Sequence, residues 1–455
     1  MNQKEYNKKA KLNPTRSLVI GIVIIILLGG IILNLPICNN RPIKFIDALF
    51  VSTTSVCVTG LTTVVIAEQF SIVGQIVIMI LIQIGGLGLM SFLVLLLMAM
   101  GKKVNLSDRL ILKESLNQNS FNTVTNLLIR IFKYTIFFEI CGAILFATTF
   151  IPEYGIEKGI FYSMFHSISA FCNAGIDIIG NNSFINYSNN FIVNITIMLL
   201  IIIGGLGFTV WEDIANAVKK RIKEKLSYKK LIRELKLHTK IVIITTIILL
   251  VTGTLLIFIF EFNNNTTMAN DSIGGKLLKS AFQSTTLRTA GFASINQNEM
   301  TTVTKLISLC YMFVGGSPGS TAGGIKNVTM FIIILMILTY MKDKEKINIF
   351  QKNIPESVIR RAIVVFAISI VLVILATAAL LLSETFLKEE LLSSDIASLY
   401  NISFMDVVFE VISAFGTVGL TLGITSSLSF AGKIIIICLM IIGRLRTSNN
   451  INSVI

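Results

Sequence analysis

Small residues carry the candidate chemistry of this chain. The stretch Ser413-Ala-Phe-Gly-Thr-Val-Gly-Leu420 ends an apolar helical pattern with a short turn inside a hydrophobic region. In hydrocarbon every backbone polar group needs a partner, so such a turn is tolerated only inside protein or along a water-filled path. Its carbonyls can then stand in for the water shell of a cation. Three other stretches have the same build: Phe50-Val-Ser-Thr-Thr-Ser-Val-Cys-Val-Thr-Gly-Leu61, Phe165-His-Ser-Ile-Ser-Ala-Phe-Cys-Asn-Ala-Gly-Ile176 and Phe282-Gln-Ser-Thr-Thr-Leu-Arg-Thr-Ala-Gly-Phe292. Their glycines, Gly60, Gly175 and Gly291, are followed by Gly419 at intervals of 115, 116 and 128 residues. Such a period marks internal repetition. Thr54, Ser169, Thr285 and Ser413 each stand six residues before one of these glycines.

A single glycine of this kind would be an ordinary helix C-cap; four in register are not. Glycine takes positive φ without a Cβ clash, so it can aim consecutive carbonyls at one axis. Three residues before the glycines the side chains differ, being Cys57, Cys172, Arg288 and Gly416. Backbone coordination tolerates that variety and side-chain coordination would not. The expected ion-binding filter is therefore Val58-Thr59-Gly60, Asn173-Ala174-Gly175, Thr289-Ala290-Gly291 and Thr417-Val418-Gly419. The last triplet matches the start of the Thr-Val-Gly-Tyr-Gly filter of potassium channels, and dehydrated potassium at the carbonyls is the natural cargo.

The elements that must position these turns follow from composition. With 455 residues, 53% hydrophobic and only 14% charged, the chain is a polytopic membrane protein rather than a soluble domain. A formal charge of +14 raises nucleic acid as a partner, but the lysines sit in short loops between apolar spans, so none is expected. The cysteines have no disulfide or metal spacing, and only Cys38 is expected near a surface. Residues 17–35 supply nearly the ~20 residues of a spanning helix, with no cleavage site after them. Four units follow, each helix, re-entrant half-helix with filter turn, helix. Their spans fall near 17–35 and 72–100, 131–151 and 191–211, 241–260 and 303–340, and 362–382 and 431 onward. The expected fold is all-α, with eight transmembrane helices in four pseudo-fourfold repeats around one pore: residues 1–105, 106–220, 221–345 and 346–455. Lys102, Lys103, Arg109 and the run from Lys219 to Arg233 put the basic loops and the N-terminus in the cytoplasm. Outer loops carry Glu68, Asp177, Glu261, Asp271, Glu299 and Glu384. These either enrich cations at the mouth, over a range that salt limits to about 8–10 Å, or serve only solubility.

The stretch Gly315-Gly-Ser-Pro-Gly-Ser-Thr-Ala-Gly-Gly-Ile-Lys326 interrupts the second helix of the third unit. Glycine costs about 1 kcal/mol each against alanine, and proline removes a donor, so no stable helix is expected there. It reads as a packing kink or as a flexible gate built from Gly315, Gly316, Ser317, Gly319, Ser320, Thr321, Gly323 and Gly324. Gly85-Gly-Leu-Gly88 and Gly204-Gly-Leu-Gly207, at matching places, read as close helix-packing sites. Arg444 lies thirteen residues past Ala431, about 20 Å into a core of about 30 Å. An arginine at that depth faces a cavity or snorkels to the surface.

The 315–326 stretch closely resembles the glycine-rich intramembrane loop of the Ktr/Trk/HKT superfamily of potassium transporters. Phe171-Cys-Asn-Ala-Gly-Ile-Asp177, Leu287-Arg-Thr-Ala-Gly-Phe292 and Phe409-Glu-Val-Ile-Ser-Ala-Phe-Gly-Thr-Val-Gly-Leu420 look like its filter signatures. The likeness covers essentially the whole chain, and one span before the first filter resembles the Ktr-type membrane subunit. It implies potassium uptake across a prokaryotic plasma membrane, a gate formed by the loop with Arg444, and sodium as a possible promoter with no further cofactor. It also implies a homodimer docked on a cytoplasmic ring of nucleotide-binding regulatory subunits. The chain departs from the family in its polar end, 446–455, which leaves the last helix shorter than its counterpart.

Arg288 beside a cation site would repel cargo, so it is expected behind the filter, bracing it by pairing with Glu410 or Asp406. His166 is expected to be hydrogen-bonded behind the second turn. Two distant histidines and no paired carboxylates leave no catalytic constellation. A secondary transporter of inverted repeats is the competing class, but units with two spans each keep one orientation.

Overall fold

The computed structural model describes residues 14–88, 121–225, 227–343, 347–349, 352–391 and 402–445. Regular structure among them is helical apart from one hairpin, in which Asn348–Ile349 pairs antiparallel with Lys352–Asn353. In chain order the helices are α1 (Pro14–Leu33), α2 (Phe45–Cys57), α3 (Ile72–Leu87), α4 (Phe121–Tyr154) and α5 (Ile156–Phe171). Next come α6 (Phe191–Leu206), α7 (Phe208–Glu224), α8 (Tyr228–Glu234), α9 (Leu237–Glu261) and α10 (Ile273–Thr286). The chain continues through α11 (Thr302–Phe313), α12 (Asn327–Tyr340), α13 (Glu356–Leu391), α14 (Phe404–Gly416) and α15 (Phe430–Leu445).

The short helices α2, α5, α10 and α14 run into the four glycine turns, and a longer helix packs behind each: α1, α4, α9 and α13. The helix after each turn lies against the next short helix, α3 on α5, α6 on α10, α11 on α14 and α15 back on α2. That sequence of contacts closes on itself. Phe50, Phe165, Phe282 and Phe409, one per short helix, are completely buried and anchor them in the core. Helix starts are fixed by polar caps. Ser71 accepts from Gly74 N, Asn190 from Val193 N and Ser272 from Gly275 N, while Ser403 and Asp406 form a capping box.

A serine on each of the first three short helices bonds outward to a carbonyl of the helix behind it. The bonds are Ser52 Oγ to Ile26 O (2.7 Å), Ser167 Oγ to Glu139 O (2.6 Å) and Ser284 Oγ to Leu250 O (3.0 Å). Opposite each hydroxyl stands a glycine, Gly29, Gly142 or Gly253, at which a Cβ would collide with the serine oxygen. The approach therefore depends on the missing side chain.

By length and composition α4, α9 and α13 each contain a stretch apolar enough to cross a bilayer. On α9 the exposed face is Ile247, Val251, Leu255 and Ile259, a stripe with helical spacing that suits lipid. The span expected over 191–211 is not one helix: it breaks at Gly207, and α7 leaves α6 at 94°. The span expected over 72–100 stops as a helix at Leu87, and 89–100 lie outside the described residues, as do 446–455. Inner helices break where the glycine motifs stand, because Gly88 and Gly207 take φ of 83° and 93°. Cys38, expected near a surface, is buried.

Two of the outer carboxylates are internal clamps rather than mouth charges. Glu384 accepts from the Ser429 hydroxyl at 2.7 Å. Glu261, fully buried, accepts from Asn264 Nδ2 (2.7 Å), Thr267 Oγ1 (2.6 Å), and Thr301 N and Oγ1 (2.8 and 2.9 Å), tying the end of α9 to the start of α11. Replacing Glu261→Ala strands these donors and is expected to cost about 2–3 kcal/mol. Thermal unfolding of the detergent-solubilised chain measures it, with Glu261→Gln losing less because its carbonyl still accepts.

Candidate functional site: four converging turns and the loop beneath them

All four turns share one backbone signature. The residue two before each glycine is forced into positive φ: Val58 (56°), Asn173 (59°), Thr289 (63°) and Thr417 (50°). The glycines follow at 105°, 62°, 83° and 92°. A non-glycine residue in that region is uncommon and costs energy, and its presence four times at equivalent places is the mark of a strained, purposeful backbone.

The turns meet. A methyl built on Gly60 would lie 3.2 Å from Gly419 Cα and 3.3 Å from Gly175 Cα, and one on Gly291 would lie 3.1 Å and 3.3 Å from the same two atoms of Gly175 and Gly419. The order 60, 175, 291, 419 returns to 60. Each such methyl would strike the carbonyl oxygen preceding the next glycine: Ala174 O at 2.8 Å, Val418 O at 2.6 Å, and Ala290 O and Thr59 O closer still. So the filter residues expected from sequence are brought together, and only glycine fits at the closure. Thr59 Oγ1, Asn173 Oδ1 and Thr417 Oγ1 are buried there without a hydrogen-bond partner. Buried oxygens left without a partner are exceptional in a folded protein; here Thr417 Oγ1 faces Gly323 and Asn173 Oδ1 faces Gly204.

Of the hydroxyls that stand six residues before the glycines, three bond to their turns and one does not. Thr54 Oγ1 accepts from Gly60 N at 2.9 Å and Ser413 Oγ from Gly419 N at 3.0 Å. In the second turn Ser169 exchanges both bonds with Ile176, one residue later. In the third, Thr286 Oγ1 donates to Phe292 O at 2.6 Å, while Thr285 bonds back to Ala281 O within its own helix. Gly85, Gly204 and Gly443 press against Val56 O, Phe171 O and Phe415 O, where a Cβ could not fit. Gly85 and Gly204 thus pack on the last residues of the short helices, where the turns begin, and Gly443 does the same in the fourth unit.

Above the glycines lies a vestibule of about 370 Å³, floored by all four and walled by Thr62, Thr63, Asn181, Asn296, Thr421 and Asp177. Asp177 is its one ionisable lining group among the described residues. Burial pushes its carboxyl up to about 6, against the Gly180 and Ile179 N–H groups and the Ser183 hydroxyl, which hold it down. His166 sits behind the second turn as expected, with Nε2 accepting from Ile178 N at 3.3 Å and Nδ1 against Tyr162 O at 2.6 Å.

Residues 315–326 fold directly under the turns. The loop is closed at its neck by Gly315 N to Ile325 O (2.8 Å) and Asn327 N to Gly316 O (3.1 Å). Gly323 is so close to Thr417 Oγ1 that a Cβ would overlap it. The loop is also stitched to the break between α6 and α7, through Ser317 N to Gly205 O (3.0 Å), Thr321 N to Gly204 O (3.3 Å) and Phe208 N to Gly319 O (2.9 Å). Arg444 is buried and donates to Thr321 O in the loop and to Gly85 O on α3. Its guanidinium points inward, which removes the snorkelling alternative.

The bracing pair expected from sequence is absent. Arg288 is buried, but its guanidinium reaches Thr246 Oγ1 on α9 at 3.4 Å, toward the helix behind its own unit. Glu410 instead holds the segment after the fourth turn, accepting from Thr421 Oγ1 at 2.7 Å and from Thr425 Oγ1. Asp406 caps α14. The charges were legible; the directions in which their helices point them were not.

An all-helical membrane-embedded chain whose four glycine turns meet below one vestibule belongs to the class of cation-conducting or cation-transporting proteins. Residues 5–452 match the TrkH family of cation transport proteins, and the chain belongs to that family. It is 38% identical to the potassium/sodium uptake protein NtpJ of Enterococcus hirae, over 96% of this chain and 91% of that one. To the Ktr system potassium uptake protein B of Bacillus subtilis it is also 38% identical, over 96% and 92%. Its fold matches the crystal structure of the potassium transporter TrkH from Vibrio parahaemolyticus with a TM-score of 0.71, at 17% identity, over 96% and 84% of the two chains.

The Asp177 carboxyl is charged above its shifted value and neutral below it, so the vestibule loses its negative charge as pH falls through about 6. Initial-rate uptake of rubidium at low concentration is expected to drop about fivefold below that pH, the worth of about 1 kcal/mol for one charge acting through water. Asp177→Asn should show the low rate at pH 7.5 and lose the pH dependence.

Proposed function

We propose that this chain is the membrane subunit of a potassium-uptake system and passes the ion, stripped of water, through the ring of Gly60, Gly175, Gly291 and Gly419. The observation that carries the reading is the closed ring, in which four segments with left-handed residues at alternate positions bring their glycines together. Carbonyl dipoles replacing a hydration shell are the known physical basis of potassium passage. The relatives named above as potassium uptake proteins support the cargo, and the name of the Enterococcus protein adds sodium, which fits sodium acting as a promoter.

On this reading the ion is substrate. Val58, Thr59, Asn173, Ala174, Thr289, Ala290, Thr417 and Val418 supply oxygens with the glycines, and the orphan Thr59 and Thr417 hydroxyls add to the set. The 315–324 loop with Arg444 is the gate: it lies under the fourth turn, and Arg444 latches Thr321 to α3 and places a positive charge below the ring. Glu410 positions the outer rim through Thr421 and Thr425, and Arg288 backs the third turn. The units are 1–105, 106–220, 221–345 and 346–455, together giving eight membrane passes in pseudo-fourfold array. The cyclic packing of α3 on α5, α6 on α10, α11 on α14 and α15 on α2 supports that arrangement. Basic loops set the N-terminus inside and the vestibule outside, in a plasma membrane. A homodimer on a cytoplasmic nucleotide-binding ring is the assembly that Ktr likeness favours.

Rubidium flux into proteoliposomes, with sodium as competitor, tests both parts. Gly419→Ser puts a side chain against Thr59 O at φ of 92° and is expected to lose discrimination between rubidium and sodium. Removing 315–324 is expected to raise resting leak. Unchanged behaviour in both variants would remove the filter and gate assignments.

A further inference from the structure

The 94° turn at Gly207 leaves α7 crosswise to α6, a helix without a charged residue. The root of α7 is rigidly held. Phe208 N is bonded to Gly319 O in the loop, Trp211 Nε1 donates to Ile203 O at 3.0 Å, Glu212 pairs with Arg130 at 3.0 Å, and Asp213 Oδ2 accepts from Lys236 N at 2.9 Å. Beyond that root the helix leaves the core. Ile214, Val218 and Ile222 form one stripe at four-residue spacing; Ile214 still touches the core, while Val218 is 40% and Ile222 74% exposed. Beside the stripe stand Lys219, Lys220, Lys223 and Lys225, with Glu224 the one opposing charge on that stretch. The following α8 is tied back by Lys220 to Glu234 at 2.7 Å and exposes Ile232 at 59%.

We propose that α7 is a surface-lying helix that binds anionic phospholipid headgroups on the leaflet opposite the vestibule, the inner leaflet in the orientation proposed above. A helix at right angles to a spanning one lies along the membrane plane. Its stripe needs hydrocarbon and its lysines need anions, and a charged lipid surface offers both at one depth. A soluble acidic partner would satisfy the lysines and leave Val218 and Ile222 in water. Because Phe208 is bonded to Gly319, the lipid-held arm and the 315–324 loop are mechanically one piece. The inference depends on embedding in a bilayer and not on the identity of the cargo.

The test places a depth probe on the stripe. The chain has one tryptophan, Trp211, so Ile222→Trp adds a reporter whose signal is read against the unsubstituted protein as background. Full-length protein is placed in nanodiscs containing brominated phosphatidylglycerol or, at equal mole fraction, brominated phosphatidylcholine. The added fluorescence should be quenched about twofold or more strongly by the anionic lipid, since each basic residue at the surface is worth about 1 kcal/mol. Lys219→Gln, Lys223→Gln and Lys225→Gln together should abolish the difference between the lipids while folding and Trp211 emission are retained. Equal quenching by both lipids with the lysines intact overturns the proposal. So does quenching by neither, which would place the arm in water and assign it to a soluble partner.

Discussion

The constraint on which the molecule depends is that bent backbone at membrane depth must have its carbonyls and N–H groups satisfied by protein or by what passes along it. Four turns hold Val58, Asn173, Thr289 and Thr417 in left-handed backbone that their side chains disfavour. Such strain persists only where the surroundings over-determine it. The surroundings here are the buried Phe of each short helix, the serine bond to the helix behind, the hydroxyl under the glycine N–H, and the glycine of the next helix pressed on the turn's carbonyl. Each is a small contribution, and the turns combine them differently: the serine bond serves the first three short helices, and the hydroxyl under the glycine N–H serves the first and fourth turns.

The four glycine turns were the most legible part of the sequence, because they are written in the one residue with no side chain. Gly60, Gly175, Gly291 and Gly419 announce themselves by spacing, and the structure brings all four into contact. The irregular stretch 315–324 was equally plain from glycine density. What could not be read was direction. Arg288 and Glu410 looked like partners by charge, yet Arg288 faces Thr246 and Glu410 faces the loop following its own turn. In the third turn the bonding hydroxyl is Thr286, next to the Thr285 that the spacing singles out, and one residue along a helix turns a side chain by about 100°.

Other features left a signal that was easy to misread. Glu261 and Glu384 look like surface charge in a loop-rich stretch, and only their donors, which come from distant segments, reveal them as clamps. Gly204-Gly-Leu-Gly207 was legible as close packing, but the same motif also turns the chain and seats the loop, two roles that composition alone does not separate. The serine-glycine contacts of Ser52 with Gly29, Ser167 with Gly142 and Ser284 with Gly253 carry little local signal, because each member is common in apolar helices. Their signal is recurrence near the spacing of the turns, 113 and 111 residues between the glycines and 115 and 117 between the serines.

One polypeptide supplies every quadrant of the ring, and the quadrants are chemically unequal, with Val58, Asn173, Thr289 and Thr417 at matching places. In a tetramer of identical chains a codon change is multiplied around the axis. Here it alters a single wall and leaves three untouched. Evolution can therefore adjust one turn of the ring at a time, a graded tuning that strict rotational symmetry denies.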